Sequence, residues 1–170
     1  MNQYVKKSDF SRVINDQDLN DLLDEASIRV EGKTSNDVLE EAVEMAVSQV
    51  EAILSTIYEM DVEFSKRPKA QNVEDTREKN VLRHVLNIAV YWLCMTIEPR
   101  DIPELREMNY KSSIMELEKV RDGELIYKLQ RIQPDAPTRL TTIGGNSKFI
   151  SKPYVDPLTL EEKNPLKRGR

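Results

Sequence analysis

The chain has 170 residues, of which 39% are apolar and 32% are charged, and its formal net charge is -5. This length suits one domain with an extension, and it can bury a sizeable core. The acidic balance argues against a general nucleic-acid binder, the single cysteine excludes an intramolecular disulfide and a cysteine-built zinc site, and a glycine count of only five favours helices over a sandwich or barrel.

Residues 1–33 predict two short leading helices followed by a loop. Ser8 is placed to cap the first helix, and Asn15 with Asp18 resembles a capping pair that opens a second helix through Leu23. The acidic residues of this segment lack the glycine turn and the set spacing of a calcium loop. They therefore indicate a solvated face and not a metal site.

Residues 34–123 predict a helical core of three longer helices. Thr34 with Asp37 fits an N-cap, and the apolar residues that follow at steps of three and four predict a helix that runs to about Glu59. A loop with Pro68 as a helix breaker is expected next.

The second long helix is predicted from about Glu74 to Ile97, and its second half is apolar nearly all round, which is typical of a central, buried helix. Trp92→Ala is therefore expected to be among the most damaging single changes, at about 3–5 kcal/mol. Seven residues on the apolar stripes of the long helices are expected in the core. They are Ile53, Ile57, Val85, Ala89, Trp92, Ile114 and Leu117.

The third long helix is predicted to start at Asp101 as its N-cap, with Pro103 in its first turn, and to end at Gly123. Met108 and Met115 are expected beside its apolar face.

Residues 124–170 predict an extended carboxyl-terminal arm. Five of the eight prolines recur in it, and no helix survives that spacing. The β-prone runs 139–143 and 148–155 flank a Gly-Gly-Asn turn, which indicates a weak hairpin or two edge strands that need partners. The fold class is therefore all-α, a small helical bundle with an arm that orders on a partner.

No arrangement of residues predicts catalysis, a cofactor or a metal. The only histidine, His84, lies ten residues before Cys94 on one predicted helix, roughly 15 Å along its axis, so the two cannot form a dyad. We expect a protein that is not an enzyme. The amino terminus lacks an apolar leader and the longest apolar run is about half of a membrane span, so we also expect a soluble protein without membrane contact.

Several stretches together carry a resemblance to a known family. They are YVKKSDFSRVI, QDLNDLLDEA, VLEEAVEMAVSQVEAILSTIYE, VLRHVLNIAVYWLCMTIEPRDIPELREMNYKSSIMELEKVRDGEL and the tail segment GGNSKF. In order and spacing this succession resembles the head-to-tail connector, or adaptor, proteins of tailed bacteriophages, especially the Mu-like prophage head-completion family. The loop between the two first long helices and the tail after Val155 depart from the family pattern.

The resemblance implies a structural virion protein of the neck, made in the host cytoplasm. Such proteins form a ring, commonly dodecameric, beneath the portal protein. They extend a channel through which DNA passes without specific binding, and they dock the next neck or tail protein. The arm would then contact a partner through apolar anchors and through terminal basic residues. The anchors are Phe149, Ile150 and Tyr154, and the basic contacts are Lys167, Arg168 and Arg170.

Two other functions are open at this point. A helical DNA-packaging-associated protein that binds nucleic acid would need a basic helix face, and the one basic cluster is the terminus from Lys163 to Arg170. That terminus contacts nucleic acid or an acidic protein surface, or it is a solvated end. An enzyme with an unrecognised site would need a convergent nucleophile, base or metal set.

Overall fold

A computed structural model describes residues 4–68 and 74–132 of the chain. A 3₁₀ helix over Lys7–Arg12 precedes five α-helices. The α-helices are α1 (Asp16–Arg29), α2 (Ser35–Leu54), α3 (Met60–Phe64), α4 (Lys79–Ile97) and α5 (Glu104–Arg121). The described residues contain no β-strand, and the predicted all-α class is confirmed.

Helix α4 is the centre of the body, because α1, α2, α5 and the 3₁₀ helix all pack against it. Its buried apolar side chains run from Val81 to Cys94, whereas Tyr91, Trp92, Met95 and Ile97 in its second half are only partly buried. By length and composition α4 would also suit a membrane span, but just over half of that segment is buried inside the protein. Packing against the neighbouring helices accounts for its apolar character.

Helices α1 and α5 each pack against both α2 and α4, yet they do not contact each other.

Three predicted helix ends agree with the structure. The side chain of Asn15 accepts a hydrogen bond from the backbone of Asp18 at 2.8 Å, and Thr34 forms a reciprocal capping box with Asp37. Gly123 follows the end of α5 with φ +82°, a left-handed conformation that glycine adopts without a steric penalty.

The capping role predicted for Ser8 is wrong. Ser8 lies inside the 3₁₀ helix, and Lys6 is the residue that precedes this helix. The carboxylate of Asp9 accepts a hydrogen bond from the Lys6 backbone at 2.9 Å and thereby satisfies the first donor.

The prediction that the first long helix continues to about Glu59 is also wrong. Helix α2 ends at Leu54, and α3 occupies part of the predicted loop. The reason is a tertiary contact: the Glu59 N–H donates to the carbonyl of Gln130, and Ile57 accepts from the N–H of Ile132, both at 2.9 Å. These backbone groups pair with a distant segment instead of continuing the helix.

Two helices begin later than their sequence patterns indicate. Helix α4 begins after Glu78 and not at about Glu74, because the residues between them bind one another and the amino-terminal segment. Helix α5 begins after Pro103, not after Asp101. A proline disfavours the helical conformation of the residue before it, so the turn cannot start earlier.

The structure distributes the expected core residues over two environments. Val85, Ala89 and Leu117 are buried, whereas the other four are partly buried and pack against the edge of the core. Those four are Ile53, Ile57, Trp92 and Ile114. Met108 and Met115, expected beside the apolar face of α5, are 56% and 52% exposed.

A buried ionic cluster ties the amino-terminal segment to the start of α4, and the sequence patterns do not reveal it. The guanidinium of Arg77 donates to the carboxylates of Asp9 and Asp75, each at 2.7 Å, and to the backbone carbonyl of Tyr4 at 2.6 Å. Burial disfavours its charge, but the hydrogen bonds from Arg77 to Asp75 and Asp9 outweigh that effect and raise the pKa of Arg77.

A second buried carboxylate extends this cluster to α3. Glu63 accepts hydrogen bonds from the Tyr4 hydroxyl at 2.9 Å and from the Glu78 backbone at 2.7 Å, and it pairs with Lys66. The ring of Phe64 packs edge-on against Tyr4. The cluster therefore holds the amino-terminal segment, α3 and the start of α4 together.

Residues 124–132, assigned to the arm from the sequence, pack against the helical body. Tyr127 is buried, Leu129 is partly buried, and Arg131 forms an antiparallel bridge with Tyr58. The rest of the predicted arm lies outside the described residues.

We predict that Leu93→Ala destabilises the protein by about 2–5 kcal/mol, because this fully buried side chain on α4 would leave a cavity. Trp92→Ala is expected to cost less, since Trp92 lies at the edge of the core. Urea unfolding followed by circular dichroism measures both. Met115→Ala is the exposed control, and equal losses for Leu93 and Met115 would contradict the central position of α4.

We also predict that Arg77→Ala costs about 3–5 kcal/mol, because it leaves the carboxylates of the cluster without their buried partner. Arg121→Ala, which breaks an exposed pair with Asp122, is the matched control and should leave stability nearly unchanged, because solvent screens an exposed pair. Thermal unfolding at constant pH compares the two. A similar, small shift for both would show that the cluster does not secure the amino terminus.

Candidate interaction surfaces

The outer face of α5 carries apolar side chains that the body does not cover. Leu105, Met108, Met115 and Lys119 follow one another at helical steps of three, seven and four residues, on the side opposite to the buried Leu117. We call these four residues the α5 outer face. Leu105 and Met108 are each 56% exposed.

Helix α1 has an outer face of different chemistry. Gln17, Asp21, Asp24 and Ile28 lie opposite its buried residues, at the same helical steps of three and four. We call them the α1 outer face. Ile28 is 81% exposed, the highest value among the large apolar residues described.

An open polar cleft lies between α4, α5 and the residues that follow the 3₁₀ helix. It encloses about 320 Å³. Its walls carry Arg12, Val13, Arg83, His84, Asn87, Asn109, Ser112, Ser113 and Glu116. This is the one place where the described residues bring the histidine next to other polar groups.

The polar groups of the cleft are already engaged with one another. His84 Nε2 lies 2.8 Å from the Tyr127 hydroxyl, Arg83 donates to Glu116 at 2.6 Å, and Asn87 donates to Ser113 at 3.3 Å. The arrangement fixes Tyr127, and with it residues 124–132, against α4. It agrees with the interpretation of His84 as an interior histidine.

The environment of His84 keeps it neutral. Burial, with the neighbouring positive charge of Arg83 as a lesser cause, lowers the pKa of His84 from 6.5 to about 4. Its Nδ1 atom is buried without a hydrogen-bond partner. A neutral imidazole can leave an acceptor unpaired at moderate cost, whereas a proton on Nδ1 would be an unpaired buried donor. Burial also raises the pKa of Tyr127 to about 12.

Metal and thiol chemistry find no support in the described part of the chain. No group of three or more His, Cys, Asp or Glu side chains is placed there to hold a metal ion. Cys94 is buried, and burial raises the pKa of its thiol, which disfavours the reactive thiolate.

The predicted arm contacts cannot be placed, because all six lie outside the described residues. They are Phe149, Ile150, Tyr154, Lys167, Arg168 and Arg170. Sequence reasoning missed the outward position of the α5 methionines. The signal was present, because apolar residues on both sides of one helix exceed what a single core contact needs.

We predict that His84 makes the protein sensitive to acid. The folded pKa is depressed, so its contribution to stability is full above pH 6.5 and is lost as the pH falls toward about 4. His84→Gln, which can still bond Tyr127 but does not titrate, should reduce the loss between pH 7 and about pH 4.5 by roughly 2 kcal/mol. Urea unfolding at both pH values measures this difference.

Tyr127→Phe is the control for this prediction. It removes the hydrogen bond but leaves the buried imidazole, so the acid sensitivity should remain. If His84→Gln lost as much stability in acid as the unaltered protein, the loss would come from carboxylates and not from His84.

The search of curated proteins and the search of solved structures returned no match. A family model described as bacteriophage Mu, Gp36 matches residues 4–142, which include every described helix. Because this match spans most of the chain, the protein belongs to the bacteriophage Mu Gp36 family and is a protein of the Mu-like phage type.

Proposed function

We propose that this protein is a structural component of the virion neck. Copies of it form a ring beneath the portal protein, extend the channel for DNA, and dock the next neck or tail protein. It is made in the host cytoplasm and acts at the head–tail junction, without membrane contact. Membership of a phage family and the small helical body support this proposal.

The observation that carries the proposal is the α5 outer face. Single exposed apolar residues are ordinary on any protein surface. Here Leu105, Met108 and Met115 share one face of a single helix, and all three are more than half exposed. Aligned apolar side chains of this kind are typical of a surface that another protein covers. Methionine suits such a contact because its flexible side chain adapts to its neighbour.

The charge distribution supports passage of DNA without specific binding. Nucleic-acid binders present clustered basic side chains that neutralise phosphates. In residues 4–68 and 74–132, several of the basic side chains pair with carboxylates, including Arg77, Arg83, Lys111 and Arg121. The whole chain carries a net charge of -5. Such a surface attracts DNA weakly and lets it slide.

The arm is the proposed contact with the portal protein or a neighbouring copy. Its described beginning is anchored on the body, since Ile132 donates to the backbone of Ile57 next to α3. The last described residue, Ile132, therefore lies beside the α2–α3 turn. We propose that Phe149, Ile150 and Tyr154 anchor this arm and that Lys167, Arg168 and Arg170 add charge contacts.

We propose no catalytic activity and no cofactor. The His84 cleft is the strongest candidate for chemistry, but His84 already bonds the Tyr127 hydroxyl, and Arg83 already pairs with Glu116. A group that holds a neighbouring segment in place is not available to a substrate.

The test is co-expression of the full chain with the portal protein of the same phage. We expect a stable complex that contains a ring of this protein, seen by native mass spectrometry and by electron microscopy of the particles. Deleting residues 133–170 should leave a soluble helical body, because the described core ends before them, but should abolish assembly. Removing only residues 163–170 is the matched control for the basic terminus.

A strictly monomeric full chain that does not bind the portal protein and is absent from virions would contradict the proposal. Salt-dependent DNA binding by residues 1–132 would instead favour a packaging-associated nucleic-acid-binding protein. Undiminished assembly after deletion of residues 133–170 would refute the role of the arm alone.

A further inference from the structure

We infer that residues 148–152 in the arm of one copy dock in a groove beside α3 on the body of a neighbouring copy. This inference rests on the proposed ring and names the surface that receives the arm. The partner is therefore a second copy of this chain, and each copy contributes one arm and one groove.

The groove lies where α2 ends and α3 begins, and it encloses about 310 Å³. Three apolar and three acidic side chains line it, beside Ser55 and Tyr58. They are Met60, Val62, Ile132, Glu51, Glu59 and Asp61. Val62 and Ile132 are 41% and 43% exposed, so the described body leaves part of the apolar lining uncovered.

The carboxylates of the groove are not neutralised by the part of the body that the structure describes. Glu51, Glu59 and Asp61 form no salt bridge with another described residue, and none of the described lining residues is basic. Carboxylates that share one concave surface without a counter-charge attract a positively charged segment.

The charge of the chain is divided unevenly between body and arm. Residues 1–132 contain 26 acidic and 18 basic side chains, whereas residues 133–170 contain four acidic and seven basic ones. The body therefore has a net charge of -8 and the arm a net charge of +3. Opposite charges on the two parts favour contact between the arm of one copy and the body of another.

The run 148–152, with the sequence Lys-Phe-Ile-Ser-Lys, has the chemistry that the groove requires. Phe149 and Ile150 supply apolar side chains for its uncovered apolar lining, and the two flanking lysines supply positive charge for its carboxylates. The basic terminus, residues 163–170, carries more positive charge but only one large apolar residue, Leu166. It therefore matches a groove of mixed lining less well.

The length of the arm allows it to reach a neighbouring copy. Fifteen residues separate Ile132 from Lys148, and at full extension they span about 50 Å. The longest helix of the body, α2, is about 30 Å long. Pro134 and Pro137 favour an extended backbone in this stretch of the sequence. A contact between unlike parts, arm and groove, repeats from copy to copy and closes a ring.

Cysteine cross-linking tests this contact in the full chain. Cys94→Ala, applied to every variant, removes the native thiol. Asp61→Cys then places a thiol at the groove, and Ser151→Cys places one in the run. We expect a mixture of these two single variants, assembled with the portal protein and treated with a short bis-maleimide, to give a dimer joined between positions 61 and 151. Asp21→Cys, at an exposed carboxylate of α1, replaces Asp61→Cys in the control and should give no such dimer.

The outcomes separate this inference from the proposed function. Rings visible by electron microscopy in which the thiol at position 151 links to the portal protein, or to nothing, would overturn the inference and leave the adaptor role standing. In the double variant, a ladder of covalent oligomers supports the inference, whereas a cross-link within single copies would overturn it. No assembly at all, with or without the portal protein, would overturn both.

Charge exchange provides a readout that misfolding does not reproduce. Lys148→Glu with Lys152→Glu should raise the protein concentration needed for half-maximal ring assembly on the portal protein about tenfold. Adding Glu51→Lys and Asp61→Lys to the same chain should restore assembly. Failure of this rescue, in variants whose circular dichroism is unchanged, would overturn the assignment of run and groove.

Arg139→Glu with Lys163→Glu is the control for this exchange. It changes the charge of the arm by the same amount but outside the run. Its effect on assembly should be clearly smaller. An equal effect would show that only the total charge of the arm matters, which would contradict docking of residues 148–152.

Val62→Lys tests the groove from the other side of the contact, and Met45→Lys is its matched control. Both side chains are 41% exposed, but Met45 lies on α2, outside the lining of the groove. A lysine at position 62 removes an apolar contact and repels the lysines of the run. We expect assembly on the portal protein to be lost with Val62→Lys and kept with Met45→Lys, and equal effects of the two changes would contradict the inference.

Discussion

The burial of α4 is the constraint on which the rest of the structure depends. Its apolar side chains pack against α2, α1 and α5, so contact with α4 determines which face of each of these helices is buried. The free energy gained by removing so many large side chains from water exceeds any single polar contact in the body. Once α4 is covered, the outer faces of α1 and α5 are the sides of these helices that remain exposed.

Two polar clusters hold connecting segments against this apolar core. At the start of α4, Arg77 joins the amino-terminal segment and Asp75, and Glu63 joins α3 to the same point. Further along α4, His84 holds Tyr127 and thereby the segment that follows α5. Buried charges and hydrogen bonds of this kind add little net stability. Their main effect is to favour one arrangement of the connecting segments over others. They determine where the chain enters the body and where the arm leaves it.

The apolar core and the polar clusters have separate consequences for function. The core needs only one apolar side of α5, yet Met108 and Met115 remain exposed on the other. The polar side chains that line the cleft beside α4 bond to one another and to Tyr127, and they serve the packing of residues 124–132. The described body therefore offers surfaces for other proteins more readily than a site for a small molecule, which is the character expected of an assembly component of a Mu-like phage.

The sequence by itself determined the helical class, the caps at Asn15 and Thr34, the end of α5 at Gly123 and the central position of α4. These features follow from local chemistry and from periodicity, which neighbouring residues specify. The tertiary structure alone decided the early end of α2, the Arg77 cluster, the position of Tyr127 and the outward direction of the α5 methionines. The physical reason is that the first three depend on partners between roughly forty and seventy-five residues away along the chain, and the fourth depends on which face of α5 packs against the other helices. The spacing of residues in a sequence carries no record of such pairings.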